Sequence, residues 1–310
     1  MFAMDKDLIS IVNLKRSQIE DILSLTDSLI ADRQKFSRHL TGKTLALIFQ
    51  KPSNRTRVSF EVGMYQLGGN SIYLSPGEIN LGVRESIKDV AKTLSRYVDG
   101  IVIRTFEHAN VVELAKYSSV PVINGLSDFS HPCQALADIY TVTRKLKDRQ
   151  KITLAYIGDG NNVSNSLLYV CAKLGINMKM ATPKGYEPDG GVLEGAVILS
   201  KETNCLISHS YDPAETAEGA DVIYTDVWTS MGQEKEAAKR KKAFEKFQIN
   251  SKLVSLAKAG ALIMHCLPAH RGEEITDEVI DGANSIVFDQ AENRLHVQKA
   301  ILIKLLGDNK

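Results

Sequence analysis

The sequence predicts an α/β fold of two domains, each a parallel sheet flanked by helices. Three observations carry that expectation. Short β-branched apolar runs alternate with longer amphipathic segments along the whole chain, the pattern of strand–helix–strand units. The chain has 310 residues, long for one core and comfortable for two. Polar, chemically useful clusters follow the strand candidates: "KPSNRTR", "RTFEH", "SDFSHPCQ", "GDGNN", "DVWTSMGQE", "HCLPAHR" and "QAENR". In open parallel sheets the ligand crevice lies at the carboxyl ends of strands. The clusters therefore predict a composite active site in the cleft between the domains.

The strand candidates of the first half are 44–49, 71–74, 100–104 and 121–124; those of the second are 152–158, 176–181, 205–208, 221–227, 261–267 and 285–288. Between the halves, "SHPCQALADIYTVTRKLKDRQ" reads as a helix starting at His131 and ending in a basic tail near Lys147, a hinge. At the chain's end, Val297, Ala300, Ile301 and Leu305 recur at helical spacing, and periodicity leaves open which domain that helix joins. The expected division is 1–131, a connecting helix 132–148, a second domain 149–290 and a closing helix 291–310.

Charges nearly cancel, with 38 Lys and Arg against 37 Asp and Glu, so no global field points to nucleic acid or an acidic membrane surface. Cys133, Cys171, Cys205 and Cys266 are scattered without a C-x-x-C pair and read as reduced thiols. "MFAMDKDLIS" lacks the apolar core of a signal peptide. No apolar run approaches the ~20 residues of a membrane span. These features read as a cytoplasmic protein.

In "FQKPSNRTRVSF", a strand ending near Gln50 and a helix starting near Ser53 would aim free N–H groups and a helix dipole at an anion. Ser53 and Thr56 add hydroxyls; Arg55 and Arg57 add forks suited to phosphate oxygens. The plainer alternative is a Ser53 N-cap with solvated arginines. No Walker A pattern is present. Lys51 reads as surface. In "HPCQ", His131 and Gln134 share one side of a helix end and can both donate to a carbonyl or phosphate oxygen; a capping His with a solvated Gln is the alternative. Arg104 closes the buried-looking "GIVIR". "GDGNN" matches two glycines of a dinucleotide fingerprint, but Val163 stands where the third belongs. A nicotinamide-dependent dehydrogenase and a nonenzymatic phosphate-binding module therefore stay as alternatives. "MHCLPAHRGEE" sets Cys266 beside His265 and near His270, in a spacing that fits no common zinc pattern, so neither metal nor cofactor is expected.

Together, "SNRTR", "HPCQ", "DVWTSMGQE" and "HCLPAHRGEE" resemble the transcarbamoylase family, in particular its ornithine branch, in the same order from about Leu8 to Leu306. The resemblance implies transfer of the carbamoyl group from carbamoyl phosphate to the δ-amine of L-ornithine, giving L-citrulline and phosphate. It implies that Ser53, Asn54, Arg55 and Thr56 bind phosphate. Arg57, Arg104, His131 and Gln134 would surround the carbamoyl carbonyl and phosphate. Asn162, Asp226, Ser230 and Met231 would bind ornithine, and Cys266, Leu267 and Arg294 would close on the reacting centre. Arg57, Arg104, His131, Asp226 and Cys266 are the implied catalytic set. Asn54 stands where the family commonly has Thr. Asn80 stands where relatives carry a Gln or His that reaches a neighbouring subunit's carbamoyl-phosphate site. The family further implies a homotrimer or multiple of trimers, and a C-terminal helix that packs on the first domain. An in-family alternative is a related amine, such as putrescine or an acylated ornithine.

Overall fold

The computed structural model describes residues 6–79, 81–146, 148, 151–230 and 232–307. The chain divides into two compact units, Met1–Tyr140 with Glu292–Lys310, and Thr141–Ala291. Each contains a wholly parallel sheet.

In the first unit the strands are β1 (Thr44–Phe49), β2 (Asn70–Leu74), β3 (Gly100–Arg104) and β4 (Val122–Leu126), in the order β2-β1-β3-β4. β1 and β3 are buried almost throughout, which explains their unbroken apolar runs. The longer helices are α1 (Arg16–Ala31), α2 (Asn54–Gln66), α3 (Ile87–Leu94), α4 (His108–Tyr117) and α5 (Pro132–Lys145), which continues into the second unit. Ile48, Ile101, Ile103, Val111 and Leu114 belong to the core between sheet and helices.

The second unit holds β5 (Thr153–Ile157), β6 (Asn177–Ala181), β7 (Ile207–Ser210), β8 (Val222–Thr225) and β9 (Leu262–His265), in the order β7-β6-β5-β8-β9. Its longer helices are α6 (Asn162–Leu174), α7 (Gly190–Thr203), α8 (Ala237–Phe244) and the start of α9 (Val287–Leu306). Ile157, Ile223, Trp228, Phe244 and Ile263 belong to its core.

Both sheets reverse strand order beside their first strand. β1 lies between β2 and β3, and β5 between β6 and β8. A crevice opens at such a switch point, flanked in the first unit by the residues after β1 and β3 and in the second by those after β5 and β8.

The tenth strand candidate, 285–288, is not a strand. Ser285 forms one isolated bridge with Ile263, and helix α9 starts at Val287. Its start earlier than 291 follows from Asp289 in the first turn, which suits the dipole. Lys147, expected near the end of α5, lies outside the described residues; the helix ends at Lys145. Among the described residues, no helix is long and apolar enough to cross a membrane.

Candidate active site

In the first unit, α2 begins one residue after Ser53, whose side chain accepts the N–H of Thr56 at 3.3 Å. The cap reading is thus correct in geometry, yet it leaves Asn54 and Arg55 N–H ahead of the first helical bond, Arg57 N–H to Ser53 O at 3.2 Å. The loop is tied to its neighbours. Gln50 N–H donates to Arg104 O at 2.8 Å, and Gln50 Oε1 accepts from the Thr105 hydroxyl.

His131 precedes Pro132 at the head of α5, where its carbonyl accepts Gln134 and Ala135 N–H. Burial holds its imidazole well below the usual 6.5, and Arg294, Arg104, Lys51 and Arg55 push the same way. The ring is therefore neutral near pH 7, a donor in a cationic surround. Gln134 donates its amide N–H to Asp138 Oδ1 at 2.8 Å. A carboxylate oxygen accepts, which fixes the amide's orientation and presents Oε1 as an acceptor.

Arg294, on α9, donates to Thr56 Oγ1 at 2.9 Å. The structure thus gathers Arg55, Thr56, Arg104, His131 and Arg294. It does not bring in Arg57, whose guanidinium pairs with Glu61 at 2.9 Å and lies 3.7 Å from the Tyr73 ring centroid. Lys51, expected at the surface, is buried: the ring of Phe106 covers its ammonium. Asn80 lies outside the described residues.

In the second unit, Asp226 follows β8. Its Oδ1 accepts the Cys266 thiol at 2.9 Å and Val227 N–H at 2.8 Å, and its Oδ2 accepts Asn161 Nδ2 at 2.8 Å. Asn161 thus holds the carboxylate, and it also caps α6. The adjacent asparagines in "GDGNN" signalled an amide without saying which. Asn162 is the first residue of α6. Gly160 has a reason unrelated to a dinucleotide: a Cβ there would meet Glu187 C and Pro188 N at 2.3 Å. The protein's own backbone occupies that space.

After β9, Leu267 has φ 57°, uncommon for a branched residue. Its N–H donates to His265 Nδ1 at 2.9 Å, so the proton sits on Nε2, which reaches Glu274 Oε1 at 3.1 Å. Glu274 is fully buried and accepts that Nε2–H, a role its place in "RGEE" does not signal. Ser230 N–H bonds Gln233 Oε1 at 3.1 Å in the turn after Trp228; Met231 lies outside the described residues.

Among the described residues, two groups have metal-ligand composition: Asp226, His265 and Cys266, and His270, Glu273 and Glu274. In the first, both His265 nitrogens are already engaged, so the residues do not fit a resident ion. Cys133 is fully buried, and burial pushes its thiol up to about 12, which disqualifies it as a nucleophile.

A neutral histidine among fixed cations in one unit suits an anion, and a carboxylate held by a thiol and an amide in the other suits an amine. Residues 6–144 match the family model "Aspartate/ornithine carbamoyltransferase, carbamoyl-P binding domain", and residues 150–305 match the "Asp/Orn binding domain" of the same family. The chain belongs to the aspartate/ornithine carbamoyltransferase family. It is 53% identical over 307 residues to the ornithine carbamoyltransferase of Thermococcus kodakarensis, covering 98% of each chain. It is 52% identical to the anabolic enzyme of Pyrococcus furiosus over 98% of each. The solved ornithine carbamoyltransferase of Pyrococcus furiosus matches at TM-score 0.96 and 50% identity with full coverage of both chains. That of Gloeobacter violaceus matches at 0.90 and 45%, covering 99% of this chain and 100% of that one.

Proposed function

We propose that this protein transfers the carbamoyl group from carbamoyl phosphate to the δ-amine of L-ornithine, giving L-citrulline and phosphate. The single observation that carries the reading is the pairing of two sets in one chain. Arg55, Thr56, Arg104, His131 and Arg294 form an anion-binding half-site, and Asp226 with Cys266 and Asn161 forms an amine-binding one.

The substrate amine is its own nucleophile. Its reference pKa of about 10 means it must lose a proton before attack. Ser53, the N–H groups of Asn54 and Arg55, and Thr56 hold the phosphate; Arg104, Arg57 and His131 stabilise charge growing on the carbamoyl oxygen and leaving phosphate. Gln134 Oε1 accepts from the carbamoyl amide. Asp226, with Asn162, Ser230 and Met231, holds ornithine; Cys266 orients the carboxylate, and Leu267 and Arg294 border the reacting centre. The first proton passes to solvent; as the new C–N bond forms and the C–O bond to phosphate breaks, the departing phosphate accepts the second. Arg57 reaches its role by leaving Glu61, a solvent-exposed pair worth at most ~1 kcal/mol.

In this reading, 1–131 with 291–310 binds carbamoyl phosphate, 132–148 connects, and 149–290 binds ornithine. A homotrimer or multiple of trimers acts in the cytoplasm, and Asn80 contributes to carbamoyl-phosphate binding. Citrulline is assayed with carbamoyl phosphate and ornithine, putrescine, acetylornithine or aspartate. Citrulline from ornithine, with no carbamoylation of the other amines, is expected; inactivity with ornithine would sink the reading. Sedimentation measures the assembly.

A further inference from the structure

Lys51 lies two residues beyond β1 and is only 8% exposed. Its ammonium stands 4.6 Å from the centroid of the Phe106 ring. Buried lysines ordinarily have an ion partner, yet among the described residues no ion pair is formed with Lys51. The charged groups that face it come from three segments. Arg104, at the end of β3, opposes its charge; solvent-exposed Asp128, after β4, favours it; His131, at the head of α5, feels it together with Arg55, Arg104 and Arg294. Asp128 is partly engaged already, since its Oδ1 accepts His108 N–H at 2.8 Å. A buried ammonium backed by an aromatic ring and crowded by cations is arranged to complete its surroundings with an anion.

We propose that Lys51 is a further anion-binding residue of the first unit's half-site, which charges by taking up a proton when a phosphate dianion arrives. Carbamoyl transfer, as proposed above, is assumed only for the identity of that anion, a phosphate ester or its inorganic product. Burial first, and then Arg104, lower the lysine to about 8. A dianion reverses the repulsion. Near pH 8 about half of the free protein carries neutral Lys51, so binding draws about half a proton from the buffer. The sign follows: above pH 8 the proton becomes harder to acquire, and phosphate binding weakens as pH rises.

The test is titration calorimetry of the full chain with inorganic phosphate at pH 8, in two buffers of different ionisation enthalpy, on wild type, Lys51→Arg and Lys51→Met. Phosphate's own ionisation is common to all three and cancels in the comparison. Wild type should take up about half a proton more per phosphate than either variant. Lys51→Arg, permanently charged, should keep most of the affinity. Lys51→Met should lose roughly ten- to a hundredfold, the worth of a charge-assisted contact. Equal proton uptake in all three, or unchanged phosphate affinity in Lys51→Met, overturns the proposal. Citrulline formation on the same wild-type preparation separates the two ideas. Activity with no lysine effect removes Lys51 alone, whereas a lysine effect without citrulline removes the transfer reading alone.

Discussion

Arg294 donates to the hydroxyl of Thr56 at 2.9 Å, although 238 positions separate them in the chain. Both side chains are buried, so the bond ties the last helix to the first turn of α2. It also fixes a guanidinium beside the loop to which the proposed function assigns the phosphate. Thr56→Val keeps the volume and removes the acceptor. The expected cost is about 1–3 kcal/mol in denaturant unfolding, with weaker phosphate binding in calorimetry.

Arg240 sits between two loops of the second unit. It pairs with Asp159 after β5, bonds Trp228 O after β8, and stacks 4.7 Å from the Tyr186 ring centroid. Burial raises Asp159 to about 6, against the pull of Arg240. Arg240→Met leaves that carboxylate buried without its cation and should cost about 3–5 kcal/mol in denaturant unfolding. Asp159→Asn in the same background should restore part of it, because no charge is then stranded. An additive double variant would contradict the coupling.

His131 carries a pH prediction. Its folded value lies well below 6.5, so below about pH 6.5 the unfolded chain binds a proton that the folded chain refuses. This contribution to stability is complete above that pH and is lost as pH falls through it. The ring stays neutral in the free enzyme, so kcat/KM for carbamoyl phosphate should show no break at 6.5 that His131→Asn abolishes. The variant should lower the rate by ~10²–10³ with an unchanged profile near neutrality.

Asp226 and Arg57 separate binding from chemistry. Asp226→Asn should raise KM for ornithine roughly ten- to a hundredfold and leave phosphate affinity intact, since its contacts are Cys266, Val227 and Asn161. Arg57→Gly should lower kcat by ~10²–10³ and cost only ~1 kcal/mol of stability as a helical glycine, because its present contacts, Glu61 and the Tyr73 ring, are both partly exposed. Steady-state kinetics with either substrate varied reads both.

The α/β class, nine of the strands and the cluster positions were legible because they rest on local rules. Buried parallel strands read as continuous apolar runs, and helix starts carry their own capping residues, Ser53 and Pro132. The tenth strand candidate, 285–288, failed because a short apolar run looks alike whether it pairs or begins a helix. Ser53, Arg55, His131 and Asp226 were singled out by residue type and motif alone. Tertiary structure alone decided which of their neighbours matter. Lys51 is buried by Phe106, Glu274 meets buried His265, and Asp226 is held by Asn161. Each of these pairs joins residues from separate segments or turns on side-chain direction. Composition and periodicity describe a residue's own neighbourhood in the chain, whereas burial, charge state and hydrogen-bond direction are set by what the fold packs against it.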